Sequence, residues 1–277
     1  KLLPRGIPYI IANEAAERFS FYGMKAILVV YMTQYLFISH GETNISEENA
    51  KGYFHLFTSA VYFIPIFGAL ISDYFLGKFK TIIFLSIIYC FGHFVLAFDA
   101  SKLGLAVGLS LIAIGSGGIK PCVSAHVGDQ FSKSNSYLLS KIYGWFYIAI
   151  NLGAFISTLL IPYILKNYNP HMAFGIPGIF MLIATLCFWL GKYKFVHIKP
   201  TNINNLNEFI KKKNLKIVLK LFSIFFFVSF FWCLFDQTGS SWILQANEMD
   251  KNFLGINWLS AQILSANPIM ILIFTPL

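Results

Sequence analysis

Charge is scarce in this 277-residue chain, where Asp, Glu, Lys and Arg together make up 12%. A soluble domain of this length needs more polar surface than that, and 57% hydrophobic residues, thirty Phe among them, leave no room for it. Cysteine is scarce as well. Cys90, Cys122, Cys187 and Cys233 stand singly in apolar stretches, without the spacing of a disulfide framework or a metal site, and read as small packing residues. The six histidines are scattered and form no metal constellation. The ten-residue alternation of an outer-membrane strand is missing too, which favours helices over a barrel. No signal peptide opens the chain, which starts at Lys1 and has no initiator Met. Trimmed termini are the expectation.

What is present is a series of long apolar runs and a mean hydropathy of +0.65, the mark of an all-α polytopic membrane protein. Eight spans are predicted, near 8–38, 52–75, 80–99, 104–123, 139–163, 173–192, 218–246 and 257–277. Alternate loops then place fourteen Lys and Arg on the side of the N-terminus and four (Lys51, Lys102, Lys166, Lys251) on the other, leaving three within spans. The positive-inside rule makes the N-terminus cytoplasmic, so the net charge of +9 is topological and not a nucleic-acid footprint. Residues 193–217 are the one long polar segment, read as a linker (Thr201 to Asn207) and a short basic surface helix (Glu208 to Lys216). This divides the chain into a six-helix bundle (1–192), a cytoplasmic basic linker (193–217) and two helices of a second bundle (218–277), the plan of a two-halved transporter. Because the sequence ends within an apolar run, at Pro276-Leu277, a truncated second bundle is expected. Pro65, Pro121, Pro177 and Pro268, inside alternate spans, read as bending elements.

The first span departs most from apolar composition. Glu14, Glu17, Arg18 and Lys25 lie within it, although a charge at mid-bilayer costs about 2.5–3.5 kcal/mol on insertion scales. At about 100° per residue Glu14, Arg18 and Lys25 share a narrow sector, flanked by Glu17, Phe21 and Tyr22. Either an interhelical ion cluster or one wall of a polar path would account for them. Glu14 and Arg18 form an i,i+4 acid–base pair in the favourable order.

Several motifs now agree. Glu14-Ala15-Ala16-Glu17-Arg18-Phe19-Ser20-Phe21-Tyr22-Gly23-Met24 resembles the first-helix motif of the proton-dependent oligopeptide transporters, within the major facilitator superfamily. Gly115 to Ala125 with Gly128-Asp129-Gln130-Phe131 resembles that family's fourth-helix signature, and Phe146 to Ala154 its fifth. Phe231 to Trp242 and Asn267-Pro268 are similar to its seventh and eighth helices. Gly68 to Lys80 matches the superfamily's gate motif between helices two and three, in which Asp73 is suited to accept from a helix N-terminus or from a base across the gate.

The resemblance implies a major facilitator fold and proton-coupled symport of di- and tripeptides by alternating access. It gives proton coupling to Glu14, Glu17, Arg18, His55 and Asp236, and gating to Asp73. His55 is equally well read as a structural histidine, though histidine titrates near neutral pH. Asp236 is suited to pair with Lys25 or Lys120, or to titrate. The expected substrate-binding residues are Tyr22, Lys25, Tyr62, Lys120, Asn151, Trp232 and Asn267. Lys25 stands where many members have arginine, and a lysine cannot fork onto a carboxylate. Asn151 suits either a peptide backbone or interhelical bonding, Asn267 either substrate or the bend at Pro268, and Trp242 either a wall of the site or, more readily, aromatic packing. The six ionic groups Glu14, Glu17, Arg18, Lys25, Lys120 and Asp236 are expected to face one polar cavity.

No cofactor is expected, protons being the coupling ion. The expected partners are a small peptide, the lipid bilayer and the remaining helices of the second bundle, with no nucleic acid; the expected location is the plasma membrane. The same scaffold moving nitrate, an amino acid or another organic anion is the alternative. An intramembrane enzyme would need a metal cluster or a nucleophile–base pair in a cavity; the sequence offers neither, and no catalytic residue is assigned.

Overall fold

The computed structural model describes residues 3–36, 45–201 and 212–275. Among these, α1 (Ile7–Gln34) runs 28 residues, about 42 Å at 1.5 Å per residue, more than enough to cross a bilayer. Its four charges alone keep it from reading as an ordinary apolar span. The second span is not one helix. α2 (Glu47–Phe63), capped by the Ser46 hydroxyl, ends where Pro65 withholds its N–H; α3 (Pro65–Ile71) restarts there and runs into a π-helical turn, Ser72–Leu76. Gly77, at φ 76°, reverses the chain into α4 (Lys78–Phe98). α5 (Lys102–Asp129), α6 (Leu139–Asn167) and α7 (Pro170–Leu190) follow, and α5 and α7 continue through Pro121 and Pro177.

α1 is central. It packs mainly on α6 and α7, α7 packs on α4, α4 on α5, and α5 on α2 and α3, which closes a six-span bundle. Small residues set the closest crossings. Gly68 of α3 lies directly on the Gly118 backbone of α5, and Gly153 of α6 on the Ala15 carbonyl of α1.

The seventh span departs from its expected form. α8 (Lys212–Phe235) stops at a 3₁₀ turn, Asp236–Gly239, and α9 (Ser241–Asn247) resumes. The break falls where Asp236 is held by an ion pair and Gly239 abuts the Phe54 ring. The expected linker and most of the basic surface helix lie outside the described residues; Lys212 to Lys216, expected to close that helix, instead begin α8. The eighth span requires a larger correction. Residue 257 belongs to a small antiparallel hairpin, β1 (Asn252–Phe253) with β2 (Ile256–Asn257), and is not helical. A 3₁₀ segment, Ser260–Ser265, leads into α10 (Ala266–Phe274), with Pro268 in the first turn of α10. These 15 described residues fall short of the roughly 20 that a helix needs to span. Six other segments are long and apolar enough to cross a membrane.

Overpacking a tight crossing costs about 1–3 kcal/mol. Gly68→Val, which drives a side chain into the Gly118 backbone, is therefore expected to lower the melting temperature of the detergent-solubilised full-length protein by several degrees. Gly52→Ala, inside α2 where the added methyl meets open space, should hold or slightly raise it, alanine being the better helix former. Equal melting of the two variants would contradict the α3–α5 packing.

Candidate functional site

The charges of α1 divide between two places. Arg18 Nε lies 2.6 Å from Glu14 Oε1 and 3.2 Å from Glu17 Oε2, and both carboxylates are 2% exposed. The spacing explains the first contact, since i,i+4 brings Glu14 and Arg18 side by side on the helix. α5 supplies the rest. The Ser116 hydroxyl donates to Glu17 Oε1 at 3.4 Å, and one turn later Lys120 Nζ sits 4.4 Å above the Phe21 ring and 5.1 Å from that of Tyr62. Among the described residues Lys120 has aromatic neighbours and no ion pair. Tyr62 in turn lies 6.3 Å from Trp232, ring centre to ring centre, and both are largely exposed.

The second place is formed with the broken seventh span. Lys25 Nζ and Asp236 Oδ1 are 3.1 Å apart, and Lys25 also lies 5.2 Å above the Phe54 ring. Of the two partners open to Asp236, Lys25 takes it. A parallel tie joins α2 to the same span, with His55 Nε2 2.9 Å from the Ser240 hydroxyl. Beside the ion pair is a cavity of about 450 Å³ lined by Tyr22, Lys25, Asn151, Asp236, Trp242 and Asn267, with apolar walls from α6 and α10. The amide nitrogen of Asn151 is already spent on the Tyr147 carbonyl at 2.8 Å.

Three expectations are corrected here. The six ionic groups do not face one cavity: Lys25 and Asp236 line it, whereas Glu14, Glu17, Arg18 and Lys120 form a separate buried cluster. Trp242, beyond the 3₁₀ turn, walls the cavity, and Trp232 does not. Asp73 is exposed on the π-helical turn, where its carboxylate accepts only from the Ser72 hydroxyl (3.2 Å) among the described residues. The cross-gate pairing belongs instead to Lys78 and Asp129, 2.9 Å apart. A larger groove of about 640 Å³ between α2 and α5 holds none of the expected coupling, substrate-binding or gating residues.

The structure adds residues that the sequence did not flag. His93 of α4, 1% exposed, places Nε2 2.8 Å from the Ser20 hydroxyl of α1 and stacks on Tyr89, one turn earlier. The Tyr89 hydroxyl lies beside those of Ser20 and Ser116 without a well-formed hydrogen bond to either. A polar seam thus runs from Glu17 through Ser116, Tyr89 and Ser20 to His93. Its one sequence signal is a Tyr and a His four residues apart in an otherwise apolar span.

Comparison with known proteins agrees with this architecture. A sequence model of the POT family matches residues 79–212 and 207–277. The chain is 38% identical to Peptide transporter family 1 of Drosophila melanogaster, over 99% of this chain and 42% of that protein. It is 36% identical to Solute carrier family 15 member 2 of Homo sapiens, over 99% and 43%. It therefore spans about two fifths of the length of these curated relatives. Among solved structures, the POT family transporter PepTSo superposes with a TM-score of 0.88 at 36% identity, over the whole of this chain and 68% of that one. A proton dependent oligopeptide (POT) family transporter superposes with 0.83 at 38%, over 98% and 70%.

His93→Leu strands the Ser20 hydroxyl and is expected to destabilise the full-length protein by about 1–3 kcal/mol, whereas Tyr89→Phe removes a hydroxyl with no firm partner and should be near neutral. Thermal unfolding of both variants checks the asymmetry, and a larger loss for Tyr89→Phe would refute it.

Proposed function

Because the chain belongs to the proton-dependent oligopeptide transporter (POT) family, we propose that it forms the first bundle and the opening helices of the second in a proton-coupled symporter of di- and tripeptides. The observation that carries this reading is the Lys25–Asp236 pair, which joins α1 to the seventh span at the edge of the 450 Å³ cavity. Both partners are about 15% exposed or less, and removing one member of a buried pair costs about 3–5 kcal/mol because the other charge is left alone. A proton on Asp236, or a peptide carboxylate on Lys25, breaks that tie. Two bundles held by it then change their relative positions, which is alternating access.

The cavity volume falls within the roughly 300–1,000 Å³ of small-molecule sites. In the cavity Lys25 takes the peptide carboxylate, Asn151 and Asn267 its amides, and Tyr22 and Trp242 its side chains; Lys120, Tyr62 and Trp232, which do not line it, are proposed to reach the peptide in another state of the cycle. Glu14, Glu17 and Asp236 take up or release the coupling proton, Arg18 stays charged and is freed when its acids are protonated, and His55 acts through Ser240. Asp73 serves the gate through the turn it occupies. The printed name of the Drosophila relative, a peptide transporter, supports the substrate class. No cofactor beyond the proton is assigned, and no chemical step.

The division into a first bundle (1–192), a linker and the start of the second bundle is proposed, with the second boundary moved from 217 to Lys212, where α8 begins, and the further helices of the second bundle are the partner that completes the pathway. The fourteen-to-four bias of Lys and Arg supports a cytoplasmic N-terminus, and the plasma membrane is the proposed location of this multi-pass protein.

The full-length protein in liposomes tests the reading. An inward proton gradient should drive uptake of labelled dipeptide, and excess unlabelled dipeptide should compete where nitrate or free amino acids do not. Glu17→Gln is expected to cut gradient-driven uptake at least tenfold while leaving peptide exchange without a gradient. Undiminished gradient-driven uptake would remove Glu17 from coupling. Lys120→Ala is expected to weaken dipeptide about tenfold, and unchanged affinity would remove it from the site.

A further inference from the structure

The end of the bundle where α3 gives way to α4 holds a second cavity, of about 490 Å³, that the proposed pathway does not use. Lys78, Lys80, His126, Lys192, His197 and Lys199 line it, and no acid does. They come from three separate stretches, namely the first turn of α4, the end of α5 and the segment after α7.

Specific bonds impose this convergence. The Gln130 side chain accepts from the Val196 N–H at 2.9 Å and donates back to the Val196 carbonyl at 3.3 Å. The Thr201 N–H donates to the Asp73 carbonyl at 2.7 Å. Phe195 is buried against the Phe188 and His126 rings, each 4.9 Å away, and against Phe79. Residues 195–201 are thereby pinned across the start of α4, which brings Lys199 and His197 over Lys78 and Lys80. Asp129, outside the lining, pairs with Lys78 at 2.9 Å.

Topology asks for basic residues at one end of the bundle, and a solvated face meets that demand. It does not ask for a segment folded back to gather them around one recess. Cations held close repel one another unless an anion lies among them. We propose that this cavity binds a phosphorylated anion, the headgroup of an acidic phospholipid from the leaflet on this side. Leu76 and Ile198 in the same wall give the site an apolar margin for the lipid stem, which free phosphate would not need. Basic recesses between spans are suited to such headgroups.

The test uses the full-length protein in detergent, titrated with short-chain phosphatidylinositol 4,5-bisphosphate, and with phosphatidylcholine of equal chain length as the neutral probe. Lys80→Gln with Lys199→Gln is expected to weaken the acidic lipid at least tenfold. Arginine at both positions should retain it. Lys133→Gln with Lys141→Gln, which removes two exposed lysines outside the cavity, should change binding less than twofold. Equal losses in the two glutamine pairs, or none in the first, overturn the proposal, as does phosphatidylcholine binding equally well. Inorganic phosphate as competitor separates the two sources of the anion. Failure to displace the lipid at millimolar concentration supports the headgroup; displacement overturns the lipid assignment in favour of a soluble phosphate site.

Discussion

Everything around α1 answers to one constraint, the guanidinium of Arg18 buried between two carboxylates. A cation and two acids inside a membrane bundle must be satisfied from within it, because no lipid group reaches them. Glu14 and Glu17 do part of this from the same helix. The remainder comes from α5, whose glycines let it pack closely on its neighbours and whose Ser116 and Lys120 meet the cluster and its Phe21 neighbour. The packing of the first bundle is thus also the solvation of its charges. A change at a helix crossing is felt at the ion cluster.

The second set of charges follows a different logic. Lys25 is on the same helix, yet its carboxylate comes from the seventh span. One ionic group of α1 therefore reports on the relation between bundles, while the others report on the inside of one. A lysine suits that position. It makes a single point contact, easily exchanged, where a guanidinium would lock onto a carboxylate through two bonds.

Much of this was legible from residues alone. The scarcity of charge gave the spans, and the acids and bases within the first span gave the centre of the site. What escaped the sequence did so for local reasons. Trp232 and Trp242 were both open as walls, and an even 100° step cannot foresee the 3₁₀ turn between Asp236 and Gly239 that sets where Trp242 points. The eighth span was read through residue 257 because apolar composition does not separate a hairpin and a 3₁₀ segment from a helix. Tyr89 and His93 carry no fixed charge, so an apolar span hides them until α1 is seen beside it. Asp73 was given the gate pairing that Lys78 and Asp129 make, since a motif names residue types but not which acid a flexible lysine reaches.

The buried ions of the two clusters also have a sum. Glu14, Glu17 and Asp236 contribute three formal negative charges, and Arg18, Lys25 and Lys120 three positive ones. Formally these six groups balance, and under the proposed symport a zwitterion entering among them leaves the balance unchanged. On that proposal each proton that joins one of these acids adds a unit of formal charge to the set, and moving a unit charge across the membrane field is worth about 2.3 kcal/mol per 100 mV. A voltage, as much as a difference in pH, is able to set the direction in which such a pathway runs.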